Sequence, residues 1–284
     1  MTKRALTLLK LRIITAIVLA TGFLVGLFFL PWFGFIVFVG AVTLIGAWEW
    51  ANLAGFESTS QRFLFGVLTF VVMLLVAWYT GLTEGVIYLT ETRHVLLMAG
   101  AWWAVALLWV QGYPSSAVLW ESRWVRALMG WLVLVPCWLS MSYLHQENQG
   151  SLLILLVMVT VIVADTGAYF TGKAFGKRKL LFQVSPGKSW EGFWGGLIAC
   201  LLLALLVEIY TGFSQWIALL VIMLFTSLGS VLGDLLESMV KRHRNIKDSG
   251  SVLPGHGGML DRIDSITAAA PIFTLGIILS GWSL

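Results

Sequence analysis

The feature that most constrains the fold is a series of long apolar runs with little chain between them. Nine runs approach bilayer-spanning length: residues 13–30, 32–48, 63–79, 95–110, 127–144, 152–170, 193–210, 216–233 and 266–282. A helix needs about 20 residues to cross the hydrocarbon core, and about 17 at least, so the fourth run requires help from its flanks. Because the runs are too long and too uniformly apolar for barrel strands, we predict an all-α, polytopic membrane protein of nine spans.

The distribution of charge supports this count and predicts an orientation. The net charge of +4 could suggest a nucleic-acid partner. With a cytoplasmic N-terminus and nine spans, however, every one of the 18 Lys and Arg residues except Arg93 falls on the cytoplasmic side. Orientation in the membrane therefore accounts for the basic residues, and no nucleic-acid partner is expected. We predict a multi-pass protein of the cytoplasmic (inner) membrane whose C-terminus lies outside the cytoplasm.

The two halves of this single membrane domain differ in their polar residues. Residues 1–150 contain no aspartate, which suits scaffold helices or helices that admit lipid. All five aspartates lie in residues 151–284, each at a predicted cytoplasmic helix end or loop: Asp165, Asp234, Asp248, Asp261 and Asp264. We therefore interpret residues 151–284 as the half that carries a functional site facing the cytoplasm, on two loops at residues 164–192 and 233–265.

The spacing of two aspartates indicates a divalent cation. Asp261 and Asp264 are three residues apart, so their carboxylates share one face if the last helix opens at Met259. Mg²⁺ takes oxygen ligands and is usually held by one or two carboxylates together with substrate phosphates. Asp234, which ends the preceding span, would supply a third oxygen. The alternative is that these aspartates are helix caps, since Asp is favoured in a first turn.

Glycine-rich turns and isolated basic residues beside these aspartates indicate a phosphate-binding site. Gly257 and Gly258 allow backbone N–H groups to approach phosphate oxygens, and His256 between glycines would donate a proton or a hydrogen bond. A loop histidine that bonds only locally is the alternative. Lys188 is an isolated lysine after Ser185 and just before a helix. At this position Ser185 and Lys188 would bind a phosphate.

Two further pairs of residues have both a structural and a functional interpretation. Ser189 and Glu191 are placed to cap the seventh spanning helix. Lys241 and Arg242 follow the eighth span, where the topology rule alone explains them. They also face the aspartates, and a site for a polyanion needs cations. Together these features suggest phosphoryl or nucleotidyl transfer onto a lipid.

Residues 238–264, SMVKRHRNIKDSGSVLPGHGGMLDRID, resemble the signature of the phosphatidate cytidylyltransferase, or CDP-diacylglycerol synthase, family. The matching elements are Ser238, Lys241, Arg242, Lys247, Asp248, His256, Gly257, Gly258, Asp261, Arg262 and Asp264. The earlier loop is similar at Asp165, Ala168, Tyr169, Gly172, Ser185, Pro186, Lys188 and Glu191, with Ser189 where many members have threonine. The resemblance extends over the whole chain in length and span number, but only the second half carries sharp motifs.

The resemblance implies transfer of CMP from CTP to phosphatidate, giving CDP-diacylglycerol and pyrophosphate, with Mg²⁺ as cofactor. It implies a metal site of Asp234, Asp261 and Asp264, and catalytic roles near phosphates for Lys241, Arg242, His256 and Arg262. It also implies substrate-binding positions at Asp165, Ser185, Lys188, Ser189, Glu191, Lys247, Asp248, Gly257 and Gly258. One Mg²⁺ or Mg²⁺ with a second cation fits equally, and a homodimer is compatible with the family.

Two other functions remain as alternatives at this point. A transporter would carry charges in mid-membrane and broken helices, whereas the ionisable residues here crowd one interface. A different membrane enzyme acting on a lipid phosphate with another nucleotide substrate would use similar carboxylates. The nucleotide consumed by the purified protein distinguishes these alternatives.

Overall fold

The structure is a computed structural model that describes residues 3–212, 215–255 and 257–282, without the side chains of residues 3–10 and 12. A short 3₁₀ turn at Leu82–Glu84 joins the third and fourth helices. The elements in chain order are α1 (Lys3–Phe29), α2 (Trp32–Ala54), α3 (Thr59–Tyr79), α4 (Leu89–Gln111), α5 (Ala117–Trp120), α6 (Arg123–Gln146), α7 (Gly150–Phe175), β1 (Lys179–Leu181), β2 (Ser185–Ser189), α8 (Trp190–Thr211), α9 (Trp216–His243) and α10 (Leu260–Ser280).

The predicted helical membrane architecture is confirmed. Within the described residues, eight helices are long and apolar enough to cross a membrane, namely α2, α3, α4, α6, α7, α8, α9 and α10. The first predicted span lies in α1, whose apolar part, Ile13–Phe29, is shorter. The fourth run gains its missing length from flanking residues, since α4 extends from Leu89 to Gln111. The ninth crossing, by α1, stays a prediction.

Polar contacts between helix ends show which ends lie together. Arg126 at the start of α6 donates to the carbonyl of Ala54 at the end of α2. At the opposite end of the bundle, the imidazole of His145 in α6 contacts the carbonyl of Leu27 in α1 at 3.2 Å. The end of α2 therefore lies beside the start of α6, and the end of α1 lies beside the end of α6.

Small residues let the helices that carry the site pack closely. A Cβ atom on Gly233 of α9 would lie 2.3 Å from the carbonyl oxygen of Asp264, so α9 and α10 touch through their backbones at this point. Glycines also line the interface of α7 and α8, where a Cβ on Gly196 would lie 2.6 Å from the carbonyl of Ala164. Such close approach is how helices gain contact energy in lipid.

The structure differs from the sequence prediction at two places near the site. Residues Lys179–Leu181 and Ser185–Ser189 form a small antiparallel hairpin in an otherwise helical fold. In addition, α7 and α9 continue past their predicted spans to Phe175 and His243. Lys241 therefore lies on a helix rather than in the loop where the sequence placed it, because α9 projects beyond its apolar part.

Candidate active site

The site forms where the end of α9 meets the start of α10. The close contact at Gly233 places Asp234 on α9 within electrostatic reach of Asp264 on α10. Asp165 on α7 also lies within reach of Asp234. Asp261 lies in the first turn of α10, one turn before Asp264. Three helices thus bring four of the five predicted aspartates to one place.

A fifth carboxylate in this group was missed from the sequence. Glu237 lies on α9 three residues after Asp234, has a side chain only 2% exposed, and interacts with both Asp261 and Asp264. Glu237 is three residues from Asp234, so both lie on one face of α9. This spacing could have identified Glu237 from the sequence. We call the set Asp165, Asp234, Glu237, Asp261 and Asp264 the acidic cluster.

Two lysines pair with the acidic cluster. Lys188 on β2 lies 2.6 Å from Asp234 Oδ2, and both side chains are about a quarter exposed, at 26% and 29%. Lys241 on α9 is more enclosed, and its Nζ lies 2.8 Å from Asp261 Oδ1 and 3.1 Å from Glu237 Oε1. Each lysine that the sequence placed near phosphate therefore contacts a carboxylate in this structure.

Asp261 also holds the loop that precedes it. Its carboxylate accepts the backbone N–H groups of Gly258, at 2.8 Å, and of Ser249, at 3.1 Å. Asp261 therefore binds N–H groups of the loop before α10 and not those of the helix's own first turn, so the recorded hydrogen bonds are not the helix cap considered from the sequence. Asp264 differs, because the hydrogen bond recorded for its carboxylate is a local one from the N–H of Ser265, at 2.7 Å.

The glycine-rich turn has the backbone geometry that its sequence suggested. Gly255 and Gly257 have φ angles of +77° and +84°, a region that favours glycine. A Cβ on Gly257 would lie 3.0 Å from Asp261 Oδ2. Gly258 instead faces neighbouring side chains, because its Cβ would lie 2.0 Å from Ser249 Oγ. His256 lies outside the described residues.

The hairpin and the start of α8 form the opposite wall. Ser189 caps α8 as predicted, since its Oγ accepts the N–H of Gly192 at 3.1 Å. Glu191 instead accepts the N–H groups of Lys177 and Arg178, which ties α8 to the connection after α7. Arg242 donates from Nε to the carbonyl of Val184 at 3.3 Å and so holds the end of α9 against the hairpin.

The remaining predicted site residues lie around the rim. Ser185 begins β2 and is half-buried. Arg262, Lys247 and Asp248 are exposed. The structure thus brings Asp165, Lys188, Asp234, Lys241, Asp261 and Asp264 together, and leaves these four at the edge of that group.

Two cavities adjoin each other at this wall. One cavity, of about 330 Å³, has the charged side chains of Asp165, Lys173 and Lys188 in an otherwise mainly apolar lining, and we call it the polar cavity for these charges. An apolar cavity of about 570 Å³ lies between α4, α9 and the hairpin, with Trp103, Leu107 and Leu232 among its lining residues. Both cavities contact Leu180, Phe193 and Val231, so those three side chains separate a charged space from an apolar one.

The carboxylate oxygens of the acidic cluster suit a cation that takes its remaining ligands from the substrate. In the part of the chain that the structure describes, no group of three or more His, Cys, Asp or Glu side chains has the geometry of a ready metal site. Mg²⁺ commonly needs only one or two protein carboxylates with phosphate oxygens and water. Five carboxyl groups lie close to two lysines here, and an added cation would favour the ionised form of those that are crowded together.

The chain is similar to known proteins along almost its whole length. Residues 10–279 match the model of the cytidylyltransferase family. The chain is 48% identical over 279 residues to a phosphatidate cytidylyltransferase of Pseudomonas aeruginosa, with 97% of this chain and 99% of that protein aligned. It is 41% identical to the Haemophilus influenzae protein of the same name, with 94% and 98% aligned, and 33% identical to that of Bacillus subtilis, with 93% and 95% aligned. The chain is a member of the cytidylyltransferase family.

Proposed function

We propose that this membrane enzyme transfers the cytidylyl group of CTP to phosphatidate, forming CDP-diacylglycerol and releasing pyrophosphate. The names of its relatives support this substrate pair. The observation that carries the proposal is the junction of the polar and apolar cavities at Leu180, Phe193 and Val231. A lipid phosphate needs charged groups for its head and an apolar volume for its acyl chains, and one molecule placed across this junction meets both.

The apolar cavity also offers a route for a lipid to enter sideways. Leu107, Trp190 and Phe225 line it and are exposed on the outer face of the bundle at 43%, 44% and 54%. In a membrane that face contacts acyl chains, because the membrane-spanning parts of the surrounding helices are apolar. Phosphatidate would therefore reach the acidic cluster from the bilayer, while CTP would enter from the aqueous side.

The chemistry requires little proton transfer. The phosphate monoester of phosphatidate has a second pKa of about 6, so it is largely a dianion at neutral pH. It can therefore attack CTP without a strong general base. A lipid phosphate oxygen forms a bond to the α-phosphorus of CTP, and the bond from that phosphorus to the bridging oxygen breaks as pyrophosphate leaves. Repulsion between the dianion and the triphosphate is the main barrier that the site must lower.

The lysines in the site are placed to lower that repulsion. Lys188 at the polar cavity and Lys241 at the centre of the acidic cluster each carry a positive charge that phosphate oxygens would attract. Asp234, Asp261 and Asp264 would hold Mg²⁺, which neutralises phosphate charge when bound. A second cation would find Glu237 and Asp165 as further carboxylates. Positioning and charge stabilisation are the main catalytic contributions in this account.

We also propose that the site faces the cytoplasm, with the N-terminus on the same side and nine spans in all. The basic groups support this orientation, since Lys173, Lys177, Arg178 and Lys241 lie at the ends of α7 and α9 beside the site. Cytoplasmic CTP is then available to the polar cavity. The bacterial relatives support placement in the inner membrane.

The test is a nucleotide-resolved turnover assay. Purified protein in mixed micelles with phosphatidate and Mg²⁺ would receive CTP, dCTP or UTP, and the lipid product and pyrophosphate would be quantified together. We expect CDP-diacylglycerol and pyrophosphate in equal amounts from CTP, and little product from UTP. Consumption of UTP in preference to CTP would assign another nucleotide-dependent reaction, and solute flux in proteoliposomes without turnover would assign a transporter.

A further inference from the structure

Glu49 joins the first half of the chain to the acidic cluster. It lies on α2, far in sequence from the other site residues, and its side chain is only 2% exposed. Its carboxylate accepts the N–H of Leu260 at 2.7 Å, the N–H of Met259 at 3.1 Å and the hydroxyl of Ser249 at 3.2 Å. All three donors belong to the segment that delivers Asp261.

This contact supplies a cap that α10 lacks in its own sequence. The first N–H groups of a helix have no partner within the helix, and a nearby side chain normally accepts one of them. Met259 occupies the N-cap position of α10 and makes no such hydrogen bond with its side chain. Glu49 accepts the N–H groups at this position from another helix, and its negative charge also suits the positive end of the helix dipole.

Two glycines and a serine are fitted around this carboxylate. A Cβ on Gly250 would lie 2.3 Å from Glu49 Oε1, and a Cβ on Gly258 would lie 2.6 Å from Glu49 Oε2. Ser249 links the carboxylates, because its hydroxyl donates to Glu49 while its N–H donates to Asp261. The loop conformation, the helix start and Asp261 are thus one hydrogen-bonded unit centred on Glu49.

From this geometry we infer that Glu49 is a positioning residue, which fixes the start of α10 so that Asp261 and Asp264 face Asp234 and the phosphates. The inference rests on the proposed function, since it concerns the same carboxylates. Glu49 itself contacts no substrate in this account. It acts as an outer partner that orients metal-binding carboxylates, and loss of such a partner typically costs about 10–100-fold in metal affinity or activity.

The substitution Glu49→Gln isolates this role. Both oxygens of Glu49 accept hydrogen bonds, so in either orientation the amide –NH₂ of glutamine faces an N–H or O–H donor of the α10 start. Size is preserved while the cap is broken. Glu49→Asp keeps both oxygens and shortens the side chain by one methylene, so it should restore part of the lost function.

Arg126→Gln is the matched control. Arg126 is also buried, at 5% exposed, and also satisfies a helix end across the bundle, through the carbonyl of Ala54. Its side-chain hydrogen bonds go to the backbone carbonyls of Ala54 and Glu121, and none of these bonds involves a carboxylate of the acidic cluster or the 249–260 segment. Its loss should lower the Tm without moving the carboxylates.

The experiment titrates Mg²⁺ into purified protein with CTP and without phosphatidate, and follows the rise in Tm; kcat is measured separately. For Glu49→Gln we expect the Mg²⁺ midpoint to rise by about tenfold or more and kcat to fall similarly, with Glu49→Asp between it and wild type. Arg126→Gln should keep the wild-type midpoint and kcat. If Glu49→Gln does not fold, Ser249→Ala removes one hydrogen bond of the same unit and should raise the midpoint less.

Two results would overturn the inference in distinguishable ways. If wild type responds to Mg²⁺ and Glu49→Gln, or Ser249→Ala in its place, shows the wild-type midpoint with only a lowered Tm, Glu49 is structural and the proposed function stands. If wild type itself neither responds to Mg²⁺ with CTP nor turns CTP over, the proposed function fails and this inference fails with it.

Discussion

Lys188 on β2 and Asp234 on α9 form an ion pair of 2.6 Å, which joins the hairpin to a helix that carries two of the five carboxylates of the acidic cluster. The pair lies at the polar cavity, and both partners are partly exposed. Because an exposed ion pair stabilises a protein little, the position of Lys188 is better explained by a role toward phosphate.

Replacing Lys188 should therefore affect catalysis more than stability. We expect Lys188→Ala to lower kcat/KM for CTP by about 10²–10³, the usual loss when one directed electrostatic contact is removed. Lys179→Ala is the control, since Lys179 is an exposed lysine at the start of β1 and should change turnover less than about twofold. Equal losses in the two variants would show that general surface charge, rather than Lys188 itself, matters.

Lys241 should matter for folding as well as for turnover. It is largely buried between Glu237 and Asp261, so Lys241→Met leaves two enclosed carboxylates without their cation. Loss of one partner of a buried pair typically costs about 3–5 kcal/mol. We expect a clear fall in Tm without Mg²⁺, partly restored by adding Glu237→Gln. A Lys241→Met protein as stable as wild type would contradict this account of the cluster.

Filling the apolar cavity should impair the lipid substrate selectively. Ala104 on α4 lines that cavity, whereas Ala101, on the same helix and also exposed, does not. We expect Ala104→Trp to raise the KM for long-chain phosphatidate severalfold, to affect a short-chain analogue less, and to leave the KM for CTP near wild type. Ala101→Trp should behave as wild type. An equal effect of both variants would place the acyl chains elsewhere.

The proposed orientation can be checked in intact cells. In a background without Cys137 and Cys200, a cysteine at exposed Lys179 or Lys247 should resist an impermeant thiol reagent and react only after lysis. A cysteine at Glu84, in the turn between α3 and α4, should react from outside. Labelling of position 179 or 247 in intact cells would contradict a cytoplasmic site.

The apolar runs and the aspartate motif were sufficient to predict the helices and much of the site. Each apolar run corresponds to one helix, because the length of a hydrophobic segment determines a span almost independently of tertiary structure. The i, i+3 spacing likewise placed Asp261 and Asp264 on one helix. The sequence pattern did not predict where the helices end. The apolar run of α9 stops at residue 233, but the helix, which packs against α10, continues to His243.

Contacts between distant segments were beyond the reach of sequence patterns. Glu49 is a single carboxylate near the end of an apolar helix, and only the packing of α2 against the 249–260 segment gives it a role. The hairpin was missed for a related reason. Its second strand reads SPGKS, which has weak strand propensity, and it forms through pairing with Lys179–Leu181.

The most direct test of the central claim is turnover and thermal stability of Asp264→Asn over a Mg²⁺ titration. Asp264 is a sharper probe than Asp261, which also holds Ser249 and Gly258, and asparagine keeps the oxygen that accepts the N–H of Ser265. The account predicts a Tm near wild type and a loss of turnover of about 10²–10³ at saturating Mg²⁺. A folded Asp264→Asn protein that keeps more than about a tenth of wild-type turnover would contradict it.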